Sequence, residues 1–76
     1  MEFSELIPNE VYTYTPDKKV PMRFTGMTKS YTEMNLDYIL CEFVPIKTKE
    51  NKNWVDTTPI WFRFSEGFDN SLIIKS

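Results

Sequence analysis

Seventy-six residues carrying nine basic and eleven acidic side chains, a net charge of −2, make one domain at most, spanning 1–76. With no histidine and a single cysteine, Cys41, the chain cannot build a Cys2His2 or Cys3His zinc site or an intramolecular disulfide. Its mild acidity weighs against non-specific nucleic-acid binding, and no apolar run approaches the length that spans a bilayer.

The start, "MEFSELIPNE", is acidic and unlike a signal peptide. A lone thiol suits a reducing compartment, so a cytoplasmic protein is expected. Met1 suggests a complete small gene product. The segment "FSELI" is read as a short helical turn or a covering arm. A chain this short buries only about 60% of its unfolded surface. Its stability is therefore expected to be a few kcal/mol.

Five strands are predicted in chain order, because Val, Ile, Phe, Tyr and Trp dominate the apolar set and five prolines interrupt any long helix. "EVYTYT" (10–15) lies between the turn signals Pro8-Asn9 and Pro16-Asp17. "VPMRFTGMT" (20–28) places Val20, Met22 and Phe24 on one face. Its alternation falters at Gly26, the mark of a bulge or sharp bend. The segment 28–35 either extends this strand into a hairpin or makes one helical turn, since Ser30-x-x-Glu33 fits a capping box. "DYILCEFVPIK" (37–47) is expected to be the longest strand, with Ile39, Cys41 and Phe43 inward and Glu42 outward. A polar loop, "KTKENKNWVDT" (47–57), leads to "TPIWFRFSE" (58–66), where Ile60, Phe62 and Phe64 alternate with Trp61 and Arg63. "EGFDN" leaves room for one tight turn before the last strand, "SLIIKS" (71–76).

Five short strands, a glycine kink in the second and a tight turn before a short fifth resemble the SH3-like small barrels over residues 6–75. The resemblance is architectural. It implies an all-β, five-stranded SH3-like barrel with a 3₁₀ turn before the last strand. An OB-like barrel would need a helix between its third and fourth strands, and 47–57 is too short and too polar for one.

Catalysis is not expected. The usual general base, histidine, is absent, and Cys41 sits on a predicted core face. The carboxylate pairs Glu33–Asp37 and Asp56–Glu66 follow no calcium-loop spacing, and the two glycines form no phosphate loop. No metal and no cofactor are expected.

Aromatic residues carry the functional reading. A core of Val11, Val20, Met22, Phe24, Ile39, Phe43, Ile60, Phe62, Phe64 and Leu72 or Ile73 leaves Tyr12, Tyr14, Tyr31, Met34, Trp54, Trp61 and Phe68 in excess. Trp, Tyr and Arg dominate interface hot spots. The expected partner-binding surface is therefore Trp61, Arg63, Tyr12 and Tyr14, with Trp54 and the loop lysines Lys47, Lys49 and Lys52 at its rim. The leading reading is a non-enzymatic protein-binding module, of the accessory or inhibitor kind that phages and mobile elements encode, whose partner is another protein or a second copy of the chain. A second reading is a nucleic-acid-binding barrel that stacks bases on the aromatics and holds phosphates with the Lys47–Lys52 loop. A third is an oligomer that sequesters a small ligand.

Overall fold

The computed structural model describes all of residues 1–76. Every strand joins one antiparallel sheet. In chain order the strands are β1 (Val11–Tyr14), β2 (Pro21–Glu33), β3 (Leu36–Pro45), β4 (Ile60–Phe64) and β5 (Ile73–Lys75), and they lie side by side as β4-β3-β2-β1-β5. Two 3₁₀ turns, Phe3–Glu5 and Thr15–Asp17, are the only helical elements. None is long or apolar enough to cross a membrane. The molecule is elongated, 43 × 21 × 20 Å, because the β2–β3 hairpin projects beyond the other strands.

The hairpin follows from local chemistry. The segment 28–33 is rich in Thr, Ser and Tyr, contains no proline, and extends β2 to thirteen residues, making β2 and not β3 the longest strand. Met34 and Asn35, with φ of 52° and 64°, make the two-residue turn of left-handed backbone angles whose overall twist matches the right-handed twist of the strands. At the bulge, Phe24 pairs with Phe43 but Thr28 pairs with Cys41, so three β2 residues oppose one of β3. Gly26 adopts φ +90°, and a Cβ placed there would stand 3.4 Å from Pro8. The glycine therefore serves both the bend and the close approach of the N-terminal segment.

The shift preserves parity, so Met22, Phe24, Cys41, Phe43 and Phe64 share one face. With Tyr12 and Ile73 they form the buried core, against which Met1, Phe3, Leu6, Tyr14, Ile39 and Phe62 pack. The predicted inward set is largely found. Val11 and Ile60 are the exceptions; Ile60 is 42% exposed, since it lies at the end of an edge strand beside an apolar groove of about 220 Å³ lined by Tyr14, Val20, Met22 and Phe62.

Tyr12 requires a correction. Predicted outside, it is fully buried. Its hydroxyl accepts the Ile7 N–H at 2.8 Å, and its ring meets Phe43 edge-on at 5.9 Å. A tyrosine whose polar end finds a partner is a good core residue. Tyr14, two residues on, follows it to the inner face and packs on Phe62 at 5.0 Å. Val11 is thereby turned toward the outer side.

That Tyr14–Phe62 contact shows that the sheet curls until β1 meets β4. The curl does not close: no ladder joins β4 to β5, which remain the two edges. The N-terminal arm covers part of the core. The Phe3 N–H donates to the Phe68 carbonyl at 2.7 Å, and the Met1 ammonium donates to the Asn70 carbonyl at 2.9 Å. The second 3₁₀ turn lies between β1 and β2 and not before β5. Pro16 favours that placement, whereas Glu66, Gly67 and Phe68 all take positive φ, which no 3₁₀ turn allows.

Candidate functional site: the outer face of the hairpin

The side chains opposite the core are set by the register. Three successive cross-strand rows on this face are Tyr31–Tyr38, then Lys29–Leu40–Arg63, then Glu42–Trp61. Tyr31 and Tyr38 stack with ring centroids 5.1 Å apart at 24°. The Arg63 guanidinium lies over the Tyr38 ring at 4.8 Å, and the Lys29 ammonium lies over Trp61 at 4.7 Å. Tyr31, Tyr38, Leu40 and Trp61 are half-buried, while Lys29 and Arg63 are exposed. Each cation is thus parked on a ring face, where the ring quadrupole contributes about 0.5–1 kcal/mol at an exposed site. The stems of both side chains cover apolar surface while their heads stay wet.

At one end of this face, Tyr38 and Arg63 also line a cleft of about 500 Å³ between the hairpin tip (35–37) and the turn 65–68. Three consecutive residues of that turn are left-handed: Glu66 at 51°, Gly67 at 84° and Phe68 at 64°. Such conformations cost non-glycine residues about 1–2 kcal/mol each. The tie of the N-terminal arm to the Phe68 carbonyl, and the pairing of Ser65 with Asp69, hold the turn in that shape.

The structure brings together Trp61 and Arg63 among the predicted binding residues. It removes Tyr12 and Tyr14, which belong to the opposite, inner face. Trp54, 55% exposed, lies in the 46–59 connection. Three neighbours were missed: Tyr38, Leu40 and Lys29, and Tyr31 was recognised only as surplus. The signal was present in β3, whose sequence is apolar on both faces: Leu36, Tyr38 and Leu40 alternate with Ile39, Cys41 and Phe43. A strand that is apolar on both sides needs cover on both.

The lysines make a separate feature. Asn51, fully buried, organises their loop. Its side-chain oxygen accepts the Thr48 N–H at 2.8 Å, and its amide nitrogen donates to the Lys19 and Ile46 carbonyls, each at 3.1 Å. The loop carrying Lys47, Lys49 and Lys52 is thereby docked against the turn carrying Lys18 and Lys19. Five lysines share one end of the molecule with Asp17 and Glu50. That end is the base of the hairpin, seven β3 residues from Tyr38, which is roughly 23 Å of strand.

Cys41 is fully buried, and burial pushes its thiol up to about 11. Its place is structural, as its position among core residues suggested. Asp56, in contrast, is held below the usual carboxylate range by the Thr58 hydroxyl at 2.6 Å and the Thr58 N–H at 2.9 Å, a turn that leads the chain into β4.

Comparison with known proteins returns no match: no family model fits the chain, and no curated protein or solved structure is significantly similar to it.

Proposed function

We propose that this chain is a non-enzymatic binding module whose outer face, Tyr31, Tyr38, Leu40, Trp61, Lys29 and Arg63, engages another protein. The observation that carries the reading is the pair of cation–ring stacks laid across a half-buried tyrosine pair. Tyr, Trp and Arg are the residues that anchor interfaces, and rings already fixed by one another lose little freedom on binding. The absence of histidine and the deep burial of the only cysteine favour binding over chemistry. The small size fits an intracellular accessory or inhibitor protein of the phage type. In fold the chain is read as an opened SH3-like barrel. The strand order β4-β3-β2-β1-β5, the bend at Gly26 and the curl that brings Tyr14 to Phe62 support that assignment.

The test is affinity capture from the native host with the parent and two variants, Trp61→Ala and Arg63→Ala, followed by titration of the captured partner. Each variant is expected to fold and to weaken binding by about 2 kcal/mol, roughly thirtyfold. Unchanged binding by both variants would remove the face from consideration.

One observation favours a second reading. The five lysines gathered by Asn51 would suit phosphates, and Trp54 in the same loop would suit a base. Binding of single-stranded nucleic acid that falls steeply with salt, and that is lost when Lys47, Lys49 and Lys52 all become Gln, would move the function to this end.

A further inference from the structure

The β2 segment beyond the bulge has a free edge. β1 accompanies β2 only over Pro21–Arg23, and residues 28–33 pair with β3 alone. In a two-residue hairpin the pair flanking the turn, here Glu33 and Leu36, exchanges hydrogen bonds, and hydrogen-bonded pairs then alternate down the ladder. Glu33, Tyr31 and Lys29 therefore bond inward to β3. Thr28, Ser30 and Thr32 aim their N–H and C=O groups away from it. None of these groups takes part in any backbone hydrogen bond outside the ladders. The row is thus an unpaired template.

The other two edges are blunted. β5 has three residues, and the Arg63 carbonyl on β4 already accepts the Asn70 side-chain amide at 3.1 Å. The β2 edge has no proline, no covering loop and no bulge within 28–33.

We propose that two copies of this chain pair antiparallel through this edge, with Tyr31 on the two-fold axis. Outward-bonding residues must oppose outward-bonding ones, and inward-bonding residues inward-bonding ones, so the register moves in steps of two. With Tyr31 opposite Tyr31, Ser30 bonds Thr32 of the other copy and Lys29 stands opposite Glu33, twice. The next register, Ser30 on Ser30, leaves Lys29 opposite Tyr31 and Glu33 opposite Met27, with no charge pair. The favoured register also places the two Tyr31 rings in the close, non-hydrogen-bonded type of pair. The Tyr31–Tyr38 stack would then continue across the axis as a row of four rings. The dimer shares Tyr31 and Lys29 with the proposed partner face and leaves Tyr38, Leu40, Trp61 and Arg63 open on each copy.

The test is sedimentation equilibrium of the whole chain over a wide concentration range. The parent is expected to show a reversible monomer–dimer equilibrium. Lys29→Glu and Glu33→Lys should each weaken it by about tenfold or more, because each sets two like-charged pairs face to face. An equimolar mixture of the two variants should recover a dimer, since both contacts become complementary, and so should the double swap. Ser30→Pro, which deletes one outward N–H and no internal one, should give a folded monomer by circular dichroism. A parent that stays monomeric at every concentration overturns the proposal. So does a dimer that both charge variants leave intact, or variants that are monomeric alone and remain so when mixed.

Discussion

The two halves of the β2–β3 hairpin use the same two strands and behave as different materials. Below the bulge, Met22, Phe24, Cys41 and Phe43 carry a core on one face, with β1 and β4 on either side. Above it, the same face shows Thr28, Ser30 and Thr32, and nothing covers them. Apart from Ile39, which still packs against the core, the order of the upper half comes from its other face, where two tyrosines stack and Arg63 lies on one of them. The lesson is that a strand pair can be carried past its core if ring stacking replaces burial. The surface so built is held in place by its own ring contacts.

The sharpest separation comes from the core hub. Phe43 touches Tyr12, Phe24 and Phe62 with ring centroids within 6 Å. Phe43→Ala is expected to cost about 3–5 kcal/mol, close to the whole stability of so small a domain. Denaturant titration should find it largely unfolded, and a native-like midpoint would break the division between the halves. Asn51→Ala comes next. It strips hydrogen bonds from the Thr48 N–H and from the Lys19 and Ile46 carbonyls, for about 1–3 kcal/mol. The loss should show as a lower melting temperature and faster amide exchange over 46–55.

Cys41 gives the body a pH signature. The folded thiol holds its proton to about 11, against 9.0 for an ordinary one. Between those values the unfolded chain binds fewer protons than the folded chain, so stability is full below pH 9 and falls as pH rises toward 11. Subtracting the pH profile of Cys41→Ala should isolate this decline, and identical profiles would contradict it.

Smaller effects probe the upper half. Met34 is 89% exposed at φ 52°, a conformation that Asn tolerates better than Met. Met34→Asn should stabilise the hairpin by about 0.5–1 kcal/mol. A rise in the global midpoint would show that the tip unfolds with the body; slower exchange at 30–38 alone would show that it opens separately. Tyr31→Ala should move global stability least, by about 0.5 kcal/mol, while altering the near-ultraviolet signal of the stack. A large loss of stability would mean that the upper half is integral to folding.

The sequence by itself determined the strand inventory, the bend at Gly26, the inward Phe62 and Phe64, the inert Cys41 and the outward pair Trp61 and Arg63. Those features rest on period-two alternation and on backbone permissions, which are local. Alternation sorts residues into two sets but does not say which set is inside. In "VYTY" hydropathy favours Val11, and only the folded arrangement, which delivers the Ile7 N–H to the Tyr12 hydroxyl, turns the tyrosines inward. The same holds for the proposed binding face. Tyr31, Tyr38, Lys29 and Arg63 sit on three strands, and their meeting depends on a register shifted by the bulge. Asn51 reads as one polar residue among lysines until the loop folds back and three backbone groups converge on its amide. Whether the curled sheet closes was likewise decided in three dimensions, because closure depends on whether β5 can reach the edge of β4, and the short β5 pairs with β1 alone.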